Sequence, residues 1–333
     1  MNTPTLTFTH LRFTLLAHTQ VNLGGHLAGN NLHNALANVV RFATCPETHR
    51  REKPTPEHAA ACPACYLFSA ELDPGSVVRA YTVTPPIPTR DCIQPGDTFN
   101  MGITLLGEGL EFLPYFVLAM NEVGRVGVGP GRGKFSLHSI VALNPLTQEI
   151  ESVLTPDDNL VRVPRLIVTW DDVTRKVAEI AAALRTHNNQ LTVRFLTPLR
   201  LHEQDNLFRI PDFSVFFRRL LFRTDELGRQ LAGQERRGRE DLAHLNTLAD
   251  QVRLVSSQTK WHELWSWSGR KQDQTPLGGL VGTATYWTAE WQELLPWLLL
   301  GQGVQAGKYA SKGHGVFELL SPDQPPYWSI NPH

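Results

Sequence analysis

Residues 111–137, EFLPYFVLAMNEVGRVGVGPGRGKFSL, lie without a gap over residues 293–319, ELLPWLLLGQGVQAGKYASKGHGVFEL, at an offset of 182 positions. Eight of the 27 positions are identical: Glu111/Glu293, Leu113/Leu295, Pro114/Pro296, Leu118/Leu300, Gly131/Gly313, Gly133/Gly315, Phe135/Phe317 and Leu137/Leu319. Composition alone would give roughly 2. Tyr115 over Trp297 adds an aromatic match. The same offset places Leu11-Arg12-Phe13 on Val193-Arg194-Phe195, and Val39-Val40-Arg41 on Leu221-Phe222-Arg223. An offset kept across the chain marks a duplicated unit.

One half therefore reads for both. Residues 6–16 alternate in the strand period, and residues 30–42 with the adjoining Ala43 place Leu32, Leu36, Val39 and Ala43 on one helical face. Residues 77–83 and 98–106 read as strands, 110–121 as a helix, 124–133 as a Gly-rich loop and 135–142 as a strand. The order β-α-β-β-α-β is that of a ferredoxin-like unit. In the second half, 190–201 reads as a strand and 213–227 as a helix. Residues 252–267 and 279–288 read as strands, 290–300 as a helix, and 304–319 as a loop and strand. The expected class is thus α+β, with tandem ferredoxin-like domains at 1–145 and 190–320. The first carries a cysteine-bearing insertion at 45–92. Residues 146–189 are a linker and an extra helix over 172–186, with Asp171 or Asp172 as its N-cap. Residues 228–239 read as an Arg-rich excursion, and 321–333 as a Pro-rich tail.

The chain has 333 residues and a formal net charge of −1, with 19% charged and 41% hydrophobic residues. That length suits two domains, each able to bury a core. No apolar run approaches the ~18 residues of a membrane span. Met1-Asn2-Thr3-Pro4 has neither the basic nor the apolar part of a secretory signal, so a cytoplasmic location without membrane contact is expected. Near-neutral charge excludes a uniformly basic nucleic-acid coat and leaves room for local patches. Arginine outnumbers lysine by 24 to 7, a bias that suits bidentate contact to phosphate or carboxylate.

Four groups of residues can carry chemistry. The Gly-rich loops at 124–135 and 301–317 let backbone N–H groups approach an anion, with Arg125, Arg132 and Lys134 in one and Lys308 and Lys312 in the other. Neither is a P-loop, because no Gly-Lys-Ser/Thr opens a helix. Cys62-Pro63-Ala64-Cys65 is a CxxC knuckle; with Cys45 and Cys92 it can fill the tetrahedron of a structural zinc, and His49 or His58 could replace one cysteine. His33 lies about a quarter-turn from Leu32, on the flank of the first helical stripe, and His26 projects to a similar side. An imidazole there can be a general base or acid. Residues 209–239 hold eight arginines against four acids, a local basic surface. Seven of the eight tryptophans lie beyond residue 260; most pack a core, while Trp265 and Trp267 could stack on bases. No GxSxG, HExxH, Rossmann fingerprint or DxDxDG loop is present.

These features together resemble the RAMP superfamily of CRISPR-associated proteins, above all its repeat-processing endoribonuclease. Val193-Arg194-Phe195-Leu196-Thr197-Pro198-Leu199-Arg200-Leu201 resembles that family's "TP-L" strand, and residues 213–223 its Phe/Leu/Arg helix. Gly278-Gly279-Leu280-Val281-Gly282 resembles its "GLVG" strand, and residues 307–317 its terminal Gly-rich loop. Residues 127–135 and the cysteine insertion also look like the family. Glu318 follows Phe317 where the family more often has a further glycine. The resemblance implies metal-independent RNA cleavage by 2′-hydroxyl attack, leaving a 2′,3′-cyclic phosphate and a 5′-hydroxyl, with a structural zinc and no catalytic metal. Leu32-His33-Asn34-Ala35-Leu36 is similar to the start of the helix that carries the base in several such nucleases, so His33 is the expected base and His26 its rival. Expected RNA contacts are Arg125, Arg132, Lys134, Lys308, Lys312 and Arg270. Expected partners are CRISPR repeat RNA or guide RNA and other effector subunits. Some members of the superfamily hold RNA without cutting it, which is the alternative role.

Overall fold

Leu11, Phe13 and Leu15 are each at most 1% exposed, while Arg12 and Thr14 between them stay partly open. Burial at every second residue makes this segment, β1 (Phe8–Ala17), a strand with one face in a core. The computed structural model describes residues 4–46, 54–68, 79–158, 160–203, 205–268, 272–322 and 324–329. After β1 come β2 (Val21–Asn22), α1 (Ala28–Thr44), α2 (Pro56–Ala61), α3 (Pro63–Phe68), β3 (Tyr81–Thr84) and β4 (Cys92–Ile93). Then follow β5 (Thr98–Leu106), α4 (Leu113–Val126), β6 (Phe135–Asn144) and β7 (Glu149–Leu154). The main sheet is antiparallel in the order β3-β5-β1-β6-β7. Its first four strands have the ferredoxin-like order. Leu32 and Leu36 of α1 and Phe116 and Met120 of α4 share a core with Leu11, Phe13 and Leu15.

The second half runs α5 (Trp170–Thr186), β8 (Gln190–Leu199), β9 (Leu201–Glu203), β10 (Asn206–Phe208), α6 (Phe213–Leu231) and α7 (Arg239–Asp250). It continues with β11 (Arg253–Ser257), β12 (Lys260–His262), β13 (Trp265–Ser268), β14 (Asp273–Pro276), β15 (Gly279–Trp287), α8 (Trp291–Val304) and β16 (Phe317–Leu320). The order β11-β15-β8-β16 repeats that of the first half, with β12 also paired to β15. The duplicated fold is therefore tandem ferredoxin-like. Its last strand does not keep the register implied by the gap-free offset. Phe135 faces Ala17, whereas Phe317 faces Phe195, the counterpart of Phe13. The slip is an even number of residues, so the same face stays inward.

Several expectations change. The stretch expected as linker contains β7, an edge strand held to β6. The N-cap of α5 is Thr169, not an aspartate: its side chain accepts from the Asp172 N–H while the Asp172 carboxylate accepts from the Thr169 N–H. Residues 252–267 are not one strand; they break into β11, β12 and the start of a hairpin, β13–β14. Helix α6 runs into the expected excursion, and α7 follows it. Only Leu245, Leu248 and Ala249 of α7 are buried, too few for a clear apolar stripe. Strand 77–83 is seen as β3; residues 77 and 78 lie outside the described residues.

The two cores meet near the chain start. Leu6 and Phe8 belong to the second core, and Gly303 leaves room for the Phe8 ring. The tail crosses back over the first sheet: the Tyr327 hydroxyl lies 2.6 Å from His10 Nε2, and Thr104 Oγ1 lies 2.7 Å from His10 Nδ1. Among the described residues, no helix is long and apolar enough to cross a membrane.

Candidate functional site

The second Gly-rich loop leaves α8 and lands on the first half. Gln305 donates its side-chain N–H to the Val83 carbonyl at 2.8 Å and to Thr84 Oγ1 at 3.2 Å. Gly29, in the first turn of α1, is so close that a Cβ there would sit 2.5 Å from the Lys312 carbonyl and 2.8 Å from Gly313 Cα. Gly313 (φ 79°) and Gly315 (φ 67°) take the left-handed backbone that brings the loop round. The first Gly-rich loop does something else. It closes on itself through a Val128–Gly133 bridge and packs Gly133 on the backbone of Gln20 and Val21. The two loops are equivalent in sequence, and only the second spans the halves.

The cations expected at these loops differ accordingly. Lys308 is exposed, Lys312 is partly buried, and their Nζ atoms lie 5.4 and 5.9 Å from the Tyr309 ring centroid. Arg132 and Lys134 are exposed on the first loop, while Arg125 forms a 2.7 Å ion pair with Glu122 on its own helix. Arg270 lies outside the described residues. The Arg-rich segment is largely tied up internally. Arg218 pairs with Glu203 and Asp250, Arg229 with Glu226, and Arg237 with Asp225 while covering the Trp297 ring at 4.0 Å. Counting charges within the segment missed acids that folding brings from elsewhere.

Three histidines gather where the halves meet. His26, on the short 3-10 turn Gly25–Leu27 ahead of α1, faces His262 of β12 with ring centroids 4.7 Å apart. His26 Nδ1 is buried without a hydrogen-bond partner. Burial lowers the pKa of His26, the positive charge of His262 lowers it further, and Asp91 opposes both. His314, in the second loop, is 1% exposed and has neither ring nitrogen hydrogen-bonded. The Pro198 carbonyl favours its charged form but lies outside hydrogen-bond geometry. Burial first, then the charges of Lys312 and His26, bring His314 down to about 4. A few residues on, Asn30 donates to the Ser266 hydroxyl at 3.1 Å, tying α1 to the β13–β14 hairpin. That hairpin holds Trp265 and Trp267 53% and 64% exposed.

His33 is not on an open flank. It is 4% exposed, stacked on Tyr81 at 6.1 Å and met edge-on by Phe68 at 5.9 Å. Arg79 Nη1 lies 3.2 Å from His33 Nε2, and a guanidinium can only donate. Nε2 is thus the acceptor, and Nδ1 carries the hydrogen toward Asn34 Oδ1 at 3.3 Å. Burial, then Arg79 and Lys312, hold His33 well below the ordinary imidazole range. The helical pattern missed this because α3, inside the cysteine insertion, covers a second side of α1. His314 could have been noticed between its two glycines; nothing in the sequence marks His262.

A group of side chains that could hold a metal ion shares three of the four expected cysteines and takes His58 as its fourth member. Cys45, His58, Cys62 and Cys65 offer ligand atoms all within 4.8 Å of one another. Cys45 Sγ lies 3.8 Å from Cys65 Sγ and 3.5 Å from His58 Nε2. A tetrahedron of ~2.3 Å zinc–sulfur bonds has edges of about 3.8 Å, so these separations fit such an ion. Cys45 caps α1, His58 sits on α2, and the CxxC joins α2 to α3. Cys92 is not part of the group. It lies on β4, opposite Asn22 of β2, and accepts from Gln94. His49 lies outside the described residues.

A family model described as an N-terminal domain matches residues 6–166. The model for CRISPR-associated endoribonuclease Cas6 matches residues 193–317. No curated protein matches the chain. Among solved structures, the product complex of Cas6 (TTHB231) has a TM-score of 0.56 at 14% identity, covering 94% of this chain and 100% of that one. Thermus thermophilus Cas6 (TTHB231) itself gives 0.56 at 16%, covering 95% and 99%. A Cas6-RT-Cas1–Cas2 complex gives 0.60 at 13%, covering 97% of this chain and 30% of that one. The second half thus matches the model of CRISPR-associated Cas6 endoribonucleases, and nearly the whole chain is similar in fold to solved Cas6 structures.

Proposed function

We propose that this protein cuts precursor CRISPR RNA within its repeat by attack of a 2′-hydroxyl on the adjacent phosphate. The 2′-oxygen bonds to phosphorus, the bond to the 5′-oxygen breaks, and the products carry a 2′,3′-cyclic phosphate and a 5′-hydroxyl. His26 takes the 2′-proton as a neutral imidazole, and His262 gives one to the leaving 5′-oxygen. Lys312 supplies positive charge beside the phosphate, and Lys308 holds the strand further out. The observation that carries this reading is the His26–His262 pair across the two halves, with an unpartnered nitrogen on His26. The groups gathered there are imidazoles and an amine, which move protons and hold phosphate. His33 is a positioning residue, because both its nitrogens face neighbours inside the first half.

Cys45, His58, Cys62 and Cys65 hold a zinc ion whose role is structural, since four protein ligands leave no open position. The partners are repeat RNA and other Cas subunits, the latter supported by likeness to the Cas6-RT-Cas1–Cas2 complex. The work takes place in the cytoplasm, where array transcripts arise.

The test is single-turnover cleavage of repeat RNA at saturating protein in EDTA. His26→Ala should lose ~10²–10⁴-fold in rate and keep RNA affinity within a few-fold. Cleavage by His26→Ala at the wild-type rate would refute the assignment. Loss of cleavage in a folded His33→Ala variant alone would return the role of base to His33.

A further inference from the structure

Trp265 and Trp267 stand on one face of β13, two residues apart, and both are more than half exposed. An exposed indole is unusual; a pair on one strand of an otherwise polar hairpin is more so. Trp261, four residues earlier, is covered: Arg209 lies 4.8 Å and Arg200 5.7 Å from its ring centroid. The two open indoles are held in place by their neighbour Ser266, whose hydroxyl accepts from Asn30 of α1. The strand begins three residues after His262, which faces His26. The platform is therefore fixed to the same helix and the same strand run as the histidine pair.

We propose that Trp265 and Trp267 form a stacking platform for two consecutive unpaired nucleobases of the RNA strand held at the His26–His262 pair. Residues i and i+2 of a strand are about 7 Å apart. That is twice the ~3.4 Å separation of stacked bases, so one base fits between the indoles and the next stacks outside. Lys260 at the head of β12 and Lys308 on the Gly-rich loop are exposed and supply the positive charge an RNA backbone requires. Stacking reads a base by its face, so the platform tolerates sequence and demands single-strandedness. This inference rests on the RNA-cleaving reading above. It specifies that the strand at the histidine pair is unpaired on the hairpin side.

The experiment measures binding of a 16-nucleotide random-sequence single-stranded RNA pool and of an RNA duplex of equal length. Wild type, Trp265→Ala, Trp267→Ala, the double alanine variant and the two tyrosine variants are compared. Each alanine should weaken binding of the single strand by about 5- to 150-fold. The salt slope should stay unchanged because no phosphate contact is lost. Duplex binding should not move, and the tyrosine variants should retain most of the affinity. Equal pool binding by the double alanine variant and wild type overturns the platform while leaving the cleavage reading intact. Failure of wild type to bind the pool also overturns it, and repeat cleavage by wild type then decides the fate of the cleavage reading separately. Self-association of wild type that vanishes in the double alanine variant would assign the indoles to a protein interface and overturn the proposal.

Discussion

Gly29→Ala is the smallest change that should separate stability from activity in this protein. The added methyl would lie 2.5 Å from the Lys312 carbonyl and 2.8 Å from Gly313 Cα. Ordinary carbon contacts are at ~3.5 Å or more, so the loop must retreat by about 1 Å. Overpacking of this kind costs ~1–3 kcal/mol. Alanine in a helix returns ~1 kcal/mol relative to glycine. The net loss, ~1 kcal/mol, is small against the ~5–15 kcal/mol of a folded protein. Catalysis should suffer far more, because a 1 Å misplacement in a site can cost ~10²-fold. The expected signature is a melting curve close to wild type together with single-turnover cleavage down by ~100-fold. Gly238→Ala is the control, since the nearest atom to its Cβ is 3.9 Å away. Wild-type cleavage by Gly29→Ala at unchanged stability would show that the loop has no part in the site.

Elemental analysis of protein purified without a His-tag should give about one zinc per chain. Cys62→Ser or His58→Ala should lose the metal and lower thermal stability, whereas Cys92→Ser should keep it; retention of zinc by Cys62→Ser would disprove the ligand set. His10 is 2% exposed, and burial brings it down to about 3. Its unfolded form takes up a proton below about 6.5 while its folded form does not until about 3, so this contribution is full above pH 6.5 and lost as pH falls through that window. The loss reaches roughly 4 kcal/mol near pH 3.5. Acid unfolding of His10→Gln should show a flatter pH dependence between 6 and 4, and a slope equal to wild type would remove His10 from the account.

The repeat at residues 111–137 and 293–319 was enough to read two ferredoxin-like units, because strand and helix periods survive in each copy. Contacts between copies were not legible. No pattern distinguishes the second Gly-rich loop, which crosses to β3 and α1, from the first, which folds onto its own β2. The cysteine spacing gave three members of the candidate metal group, since CxxC fixes two thiols locally. His58 was legible only as a substitute for one cysteine; choosing it over Cys92 required knowing that β4 carries Cys92 away to pair with β2, while α2 brings His58 back beside Cys45. The helical period of α1 placed His33 on the flank of the apolar stripe and misjudged its exposure, because a helix in the insertion covers it. Long-range closure, rather than local propensity, decides which histidine meets the other half.

The join between Gln305 and Val83 spans 222 positions of the chain. The loop that packs on α1 beside His26 lies far along the chain from it. A polypeptide that stops before residue 305 holds both His26 and His262 but not the loop that carries Lys312 and His314. On the proposed reading such a copy lacks the lysine beside the phosphate, so the site is complete only once the second Gly-rich loop has docked on α1.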